Sequence, residues 1–136
     1  MIRVLAVEDN LGDQCLLREA IMETGVDCSV IFAASAEASL KSIYIDNPDL
    51  IFMDINMPGL AGDDFVALFQ SGPYASQAKK VVFLTGADLS EDKVDPLSQR
   101  VLVKNMNYPL LKKLVNVKEI KRILKGIVRE GRLYGL

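Results

Sequence analysis

Histidine is absent from this 136-residue sequence, and cysteine occurs only twice, as Cys15 and Cys28. Without an imidazole there is no Ser-His-Asp or Cys-His nucleophile, and two thiols are too few for a thiolate zinc cage. Both cysteines stand inside apolar patterns, which predicts buried, reduced thiols and, weakly, a cytoplasmic protein. The sequence offers neither a cleavable leader nor a run of about 18 apolar residues, so neither export nor membrane insertion is expected. An excess of positive charge is missing too. Lys and Arg number 16 against 18 Asp and Glu, a formal net charge of −2, which predicts no nucleic-acid surface. Half of the residues are apolar and a quarter are charged, as expected of one globular domain spanning residues 1–136.

What is present is an alternation of short apolar runs with longer amphipathic ones. Strands are expected over Ile2 to Val7, Cys28 to Phe32, Leu50 to Met53, Lys80 to Leu84 and Arg100 to Val103. Helices are expected over Gly12 to Glu23, Ala36 to Ile45, Gly62 to Gln70 and Leu89 to Leu97, the last cut short by Pro96. A fifth and longer helix is expected from about Tyr108 to Arg129, with Asn107 as its cap and Pro109 in its first turn. Asn116 with Glu119 offers a competing start by the capping-box pattern. Leu111, Val115 and Ile123 widen the apolar stripe of that helix, which suits core coverage or a surface for a partner or a second copy. Basic residues from Lys112 to Arg132 interleave with this stripe and read as its solvated side. Continuous apolar strands joined by helices give an α/β fold: a doubly wound, five-stranded parallel sheet in a (βα)5 three-layer sandwich.

Ligand sites in such sheets lie beyond the carboxyl ends of the strands. Those ends carry Glu8 and Asp9, then Asp54, then Thr85, then Lys104. Two carboxylates at adjacent strand tips repel by roughly 4 kcal/mol at an effective dielectric near 20, so a bound divalent cation is the natural reading. Each residue alone has a plainer explanation. Glu8 and Asp9 suit a helix start, as do Asn10 and Asp13; Asp54 suits the turn toward Pro58, Thr85 a bond to its own backbone, and Lys104 a surface charge. None of these explains four such residues on one rim.

Taken together, Glu8-Asp9-Asn10, Asp54 followed by Met57-Pro58-Gly59, Leu84-Thr85-Gly86 and Lys104 resemble the receiver (CheY-like) domain of two-component response regulators, with its flavodoxin-like fold. The resemblance implies that Asp54 is the phosphoacceptor, taking a phosphoryl group from a phosphohistidine that must come from another protein. It implies Mg²⁺ held by Asp9, Asp54 and the backbone carbonyl of Asn56, with Glu8 acting through water. Thr85 and Lys104 are then expected to contact the phosphoryl oxygens, and the partners to be a histidine kinase or histidine phosphotransfer protein and an output protein. Such a domain is a signalling switch and catalyses only its own phosphorylation and dephosphorylation. Few residues follow Arg129, which fits either a stand-alone regulator or a piece of a longer protein.

Asn105 stands where this family usually has proline after the lysine, and Val101 and Leu102 stand where an aromatic residue is common. If the final strand is instead Tyr108 to Leu111, Lys112 or Lys113 takes the place of Lys104. Two other functions compete. A pseudo-receiver would bind partners without phosphate. An aspartate-nucleophile phosphohydrolase would need a second acid two positions after the nucleophile, where Asn56 stands.

Overall fold

The structure is a computed structural model that describes residues 1–54, 81–85, 94–95, 100–103, 106–112 and 117–130. Seven strands form one sheet in the order β2-β1-β3-β4-β7-β6-β5. They are β1 (Ile2–Val7), β2 (Cys28–Ala33), β3 (Leu50–Asp54), β4 (Val81–Thr85), β5 (Val94–Asp95), β6 (Arg100–Val103) and β7 (Met106–Lys112). The described helices are α1 (Leu11–Glu23), α2 (Ala36–Asp46) and α3 (Val117–Glu130).

Five strands, β2, β1, β3, β4 and β7, run parallel, which is the doubly wound sheet expected from the apolar runs. Both faces of the central strands are covered. Val4, Ala6, Leu50, Phe52, Val82 and Leu84 point to a cluster that includes Leu17 and Ile21 of α1 and Ile120, Ile123, Leu124 and Ile127 of α3. The intervening residues Leu5, Val7, Ile51, Met53, Val81 and Phe83 are equally buried. That accounts for runs without polar alternation.

Local chemistry sets the boundaries. The Asn10 side chain accepts from the Asp13 N–H at 2.9 Å and starts α1, and Ser35 does the same for the Ala38 N–H at 3.0 Å in α2. Helix α2 ends on Asn47 in the left-handed conformation, φ 44°, with Pro48 barring continuation. At the amino edge of the sheet Arg3 ties β1 to β3. Its N–H donates to Asp49 Oδ2 at 2.8 Å, its Nη1 donates to the Asp46 carbonyl at 3.0 Å, and its carbonyl accepts from the Asp49 N–H.

Three expectations for the second half of the chain are corrected. The fifth parallel strand is Met106–Lys112, whereas Arg100–Val103 pairs antiparallel with it, Val103 opposite Met106 and Arg100 opposite Pro109. Only two residues separate these strands in the sequence, and a parallel connection needs a dozen or more, so the pair closes as a hairpin. The last helix starts at Val117, not near Tyr108, in agreement with the competing Asn116 and Glu119 pattern. Leu110 and Leu111 are consumed as the neighbours of Phe83 and Leu84, so the stripe of the helix narrows to Ile120, Ile123, Leu124 and Ile127. Val94–Asp95, expected in a fourth helix, is a short strand against Val101 and Arg100. Pro96 directly after it removes the N–H that a continuing helix would need. The helix expected over Gly62 to Gln70 lies outside the described residues.

Among the described residues no helix is long and apolar enough to cross a membrane. The cysteines are unpaired as expected, but Cys15 is exposed and Cys28 half-buried. Cys15 lies on α1 away from the buried pair Leu17 and Ile21.

Candidate functional site

Sheet register brings the two acidic segments together. Val7 pairs with Met53 in parallel, so one step further Glu8 meets Asp54 across neighbouring strands, with Asp9 one residue on. One carboxylate oxygen from each of Glu8, Asp9 and Asp54 lies within 4.8 Å of the others. Glu8 and Asp54 are 1% and 3% exposed, while Asp9 is open to solvent. Two acids are thus taken out of water beside a third. That arrangement is costly without a cation.

The plain alternative for the first pair, that they merely begin α1, does not hold, because Asn10 performs the capping. Glu8 is itself fixed at several points. Its N–H donates to the Ala33 carbonyl at 2.9 Å, its Oε1 accepts from the Asn10 N–H at 3.0 Å, and its carbonyl accepts from Gln14 Nε2 at 2.7 Å.

The donor set suits a hard divalent ion. All three side chains offer oxygen, the ligand type that Mg²⁺ and similar divalent ions take.

Across the rim, Asp54 pairs with Leu84, the residue before Thr85, and Thr85 pairs with Lys112. The carboxyl edge therefore presents acid, acid, hydroxyl-bearing residue and lysine on β1, β3, β4 and β7. Asn56 and Lys104 lie outside the described residues. β6 ends with Val103 opposite Met106, and Met106 and Lys112 are the two ends of β7, six residue steps or about 20 Å apart. Lys112 thus stands in register with Thr85 at the end of the fifth parallel strand. Gln14, a polar residue in the first turn of an amphipathic helix, drew no attention in the sequence. The signal was its place: the first turn of α1 folds back over the end of β1.

Comparison with known families decides the affiliation, since residues 4–125 match the response regulator receiver domain. The chain belongs to that family. Solved structures agree with the receiver fold. The signal receiver domain of a DNA binding response regulator protein (merR) from Colwellia psychrerythraea 34H superposes with a TM-score of 0.75 at 20% identity, covering 96% of this chain and all of that one. The Mn²⁺-bound form of response regulator Rcp1 gives 0.63 at 23% identity, covering 100% of this receiver and 97% of its own chain. Chemotaxis protein CheY4 of Vibrio cholerae gives 0.65 at 26% identity over 95% of this chain and 98% of its own. Among curated proteins no match is found.

Proposed function

We propose that this receiver domain accepts a phosphoryl group on Asp54 and uses it to switch protein contacts in two-component signalling. The observation that carries the reading is the convergence of Glu8, Asp9 and Asp54 within 4.8 Å at the mouth of a parallel sheet. An Asp54 carboxylate oxygen attacks the phosphorus of a partner's phosphohistidine. The new P–O bond forms as the P–N bond breaks, and the departing imidazole takes up a proton. A carboxylate approaching a phosphoryl dianion needs its charge offset, and this is the main catalytic requirement.

Asp9, Asp54 and the Asn56 carbonyl, with Glu8 through water, are the groups that would hold Mg²⁺; a receiver similar to this one is known in a Mn²⁺-bound form. When bound, the ion supplies positive charge against the phosphoryl oxygens. From this chain, the Thr85 hydroxyl donates to one phosphoryl oxygen, and a lysine ammonium pairs with another. The register of Thr85 with Lys112 supports Lys112 as the source of that ammonium, with Lys104 as the alternative. The reaction is confined to the domain's own phosphorylation and dephosphorylation, in the cytoplasm, with a histidine kinase or phosphotransfer protein as donor and an output protein as reader.

Intact mass after incubation with Mg²⁺ and acetyl phosphate tests the reading. One added phosphoryl group is expected, lost with Asp54→Ala and with chelator. Labelling that persists in Asp54→Ala places the chemistry on another residue. A protein that stays unlabelled under all donors is a pseudo-receiver.

A further inference from the structure

Of the three acids, Asp9 is the exposed one, so the protein around it does least to hold its side chain. What aims it is the backbone. The Glu8 carbonyl and the Asp9 N–H belong to one planar peptide unit, so fixing the carbonyl fixes the orientation of the unit from which Asp9 projects. That carbonyl stands just past the last ladder pair of β1, and the half-buried Gln14 amide donates to it at 2.7 Å. The Gln14 backbone N–H donates to the Asn10 carbonyl at 3.0 Å, and the Asn10 side chain accepts from Asp13. The amide is thereby mounted on the capped first turn of α1. Gly12 leaves room for this cap, since a Cβ there would stand 3.2 Å from Asn10 Oδ1.

Resting on the metal-dependent reading above, we infer that Gln14 is a positioning residue for the divalent cation: by holding the Glu8 carbonyl it sets the direction of the Asp9 carboxylate toward Glu8 and Asp54. The Asn10 N–H on Glu8 Oε1 fixes the other side of the same turn. Gln14 touches neither ion nor phosphoryl group. It acts through the peptide that carries Asp9.

Gln14→Met keeps the length and volume of the side chain and removes the donor. Mn²⁺ and Mg²⁺ affinities of the two proteins are measured by calorimetric titration at 25 °C, where melting curves in chelator show both folded. Partners that orient metal ligands typically matter about tenfold in affinity, and a loss of that size is expected. The melting temperature in chelator should change little, while the rise produced by added metal shrinks. Equal metal affinity in both proteins overturns the inference and leaves the phosphoacceptor reading standing. So does a fall in melting temperature that is as large in chelator as in metal, with unchanged affinity, for that is a purely structural role. A wild-type protein that binds neither ion removes the phosphoacceptor reading and this inference together.

Discussion

At the scale of single residues, position on the rim matters more than residue type. Chain neighbours alone made Lys104 the expected cation, since it follows an apolar run as Glu8, Asp54 and Thr85 follow theirs. Strand pairing sets Lys112 beside Thr85 instead. Replacing Lys112 by Met should slow phosphorylation by acetyl phosphate about 100-fold, the usual effect of removing one group that stabilises transferred charge, whereas Lys104→Met should leave the rate within about twofold. Rates followed by intact mass decide between them, and an inverted order would return the role to Lys104. The two cysteines separate in the same way. Cys15 is exposed, while burial first and the neighbouring Asp27 charge second push the Cys28 thiol above its ordinary value. In the native protein an alkylating reagent at pH 8 should therefore modify one thiol quickly and the second slowly, until denaturant equalises them. Because the raised group keeps its proton longer in the folded state, any stability it contributes is complete below the unfolded thiol's pKa and is lost as pH rises from there through the raised folded value.

At the scale of elements, β1 to β4 and the first two helices were legible because each carries a signal with one interpretation. Short continuous apolar runs that alternate with longer amphipathic ones suit strands buried on both faces, and Asn10 stands at a helix start in the structure as its place in the sequence suggests. The carboxyl-end rule then delivered Glu8, Asp9 and Asp54 as one cluster. Residues 100–112 were not legible for a physical reason. Tyr108-Pro109-Leu110-Leu111 satisfies a helix start, with proline in the first turn, as well as it satisfies a strand. A four-residue strand such as Arg100–Val103, with three apolar residues, does not encode whether its neighbour is parallel or antiparallel; pairing partners decide that. Gln14 was missed because its bond runs to a main-chain carbonyl, which no residue pattern announces. Helix α3 carries its own test. Ile123 and Leu124 are fully buried against β1 and α1, so Ile123→Ala should cost about 2 to 5 kcal/mol in urea unfolding, whereas exposed Val128→Ala should cost well under 1.

At the scale of the whole molecule, the apolar sandwich and the acidic rim oppose each other. Hydrophobic burial holds the strands in a register that forces Glu8 beside Asp54, and both are almost wholly removed from water. The sheet thus supplies the stability that the rim consumes, a common arrangement where function demands like charges in one place. Linkage turns this into a prediction about the intact domain. An ion bound by the native rim and not by the unfolded chain stabilises by about 2.7 kcal/mol at one hundred times its dissociation constant, and for a chain of this size that is a rise of roughly 6 to 10 °C. Asp54→Asn removes one of the mutually repelling charges while keeping the shape. In chelator the variant should therefore melt above the wild type, and on adding Mg²⁺ the wild type should overtake it, because only the wild type retains the full set of acidic ligands. Melting curves recorded with chelator and with saturating Mg²⁺ give all four values. If Asp54→Asn melts below the wild type in chelator, the rim is not a site of net repulsion and some other interaction of Asp54 dominates its energetics.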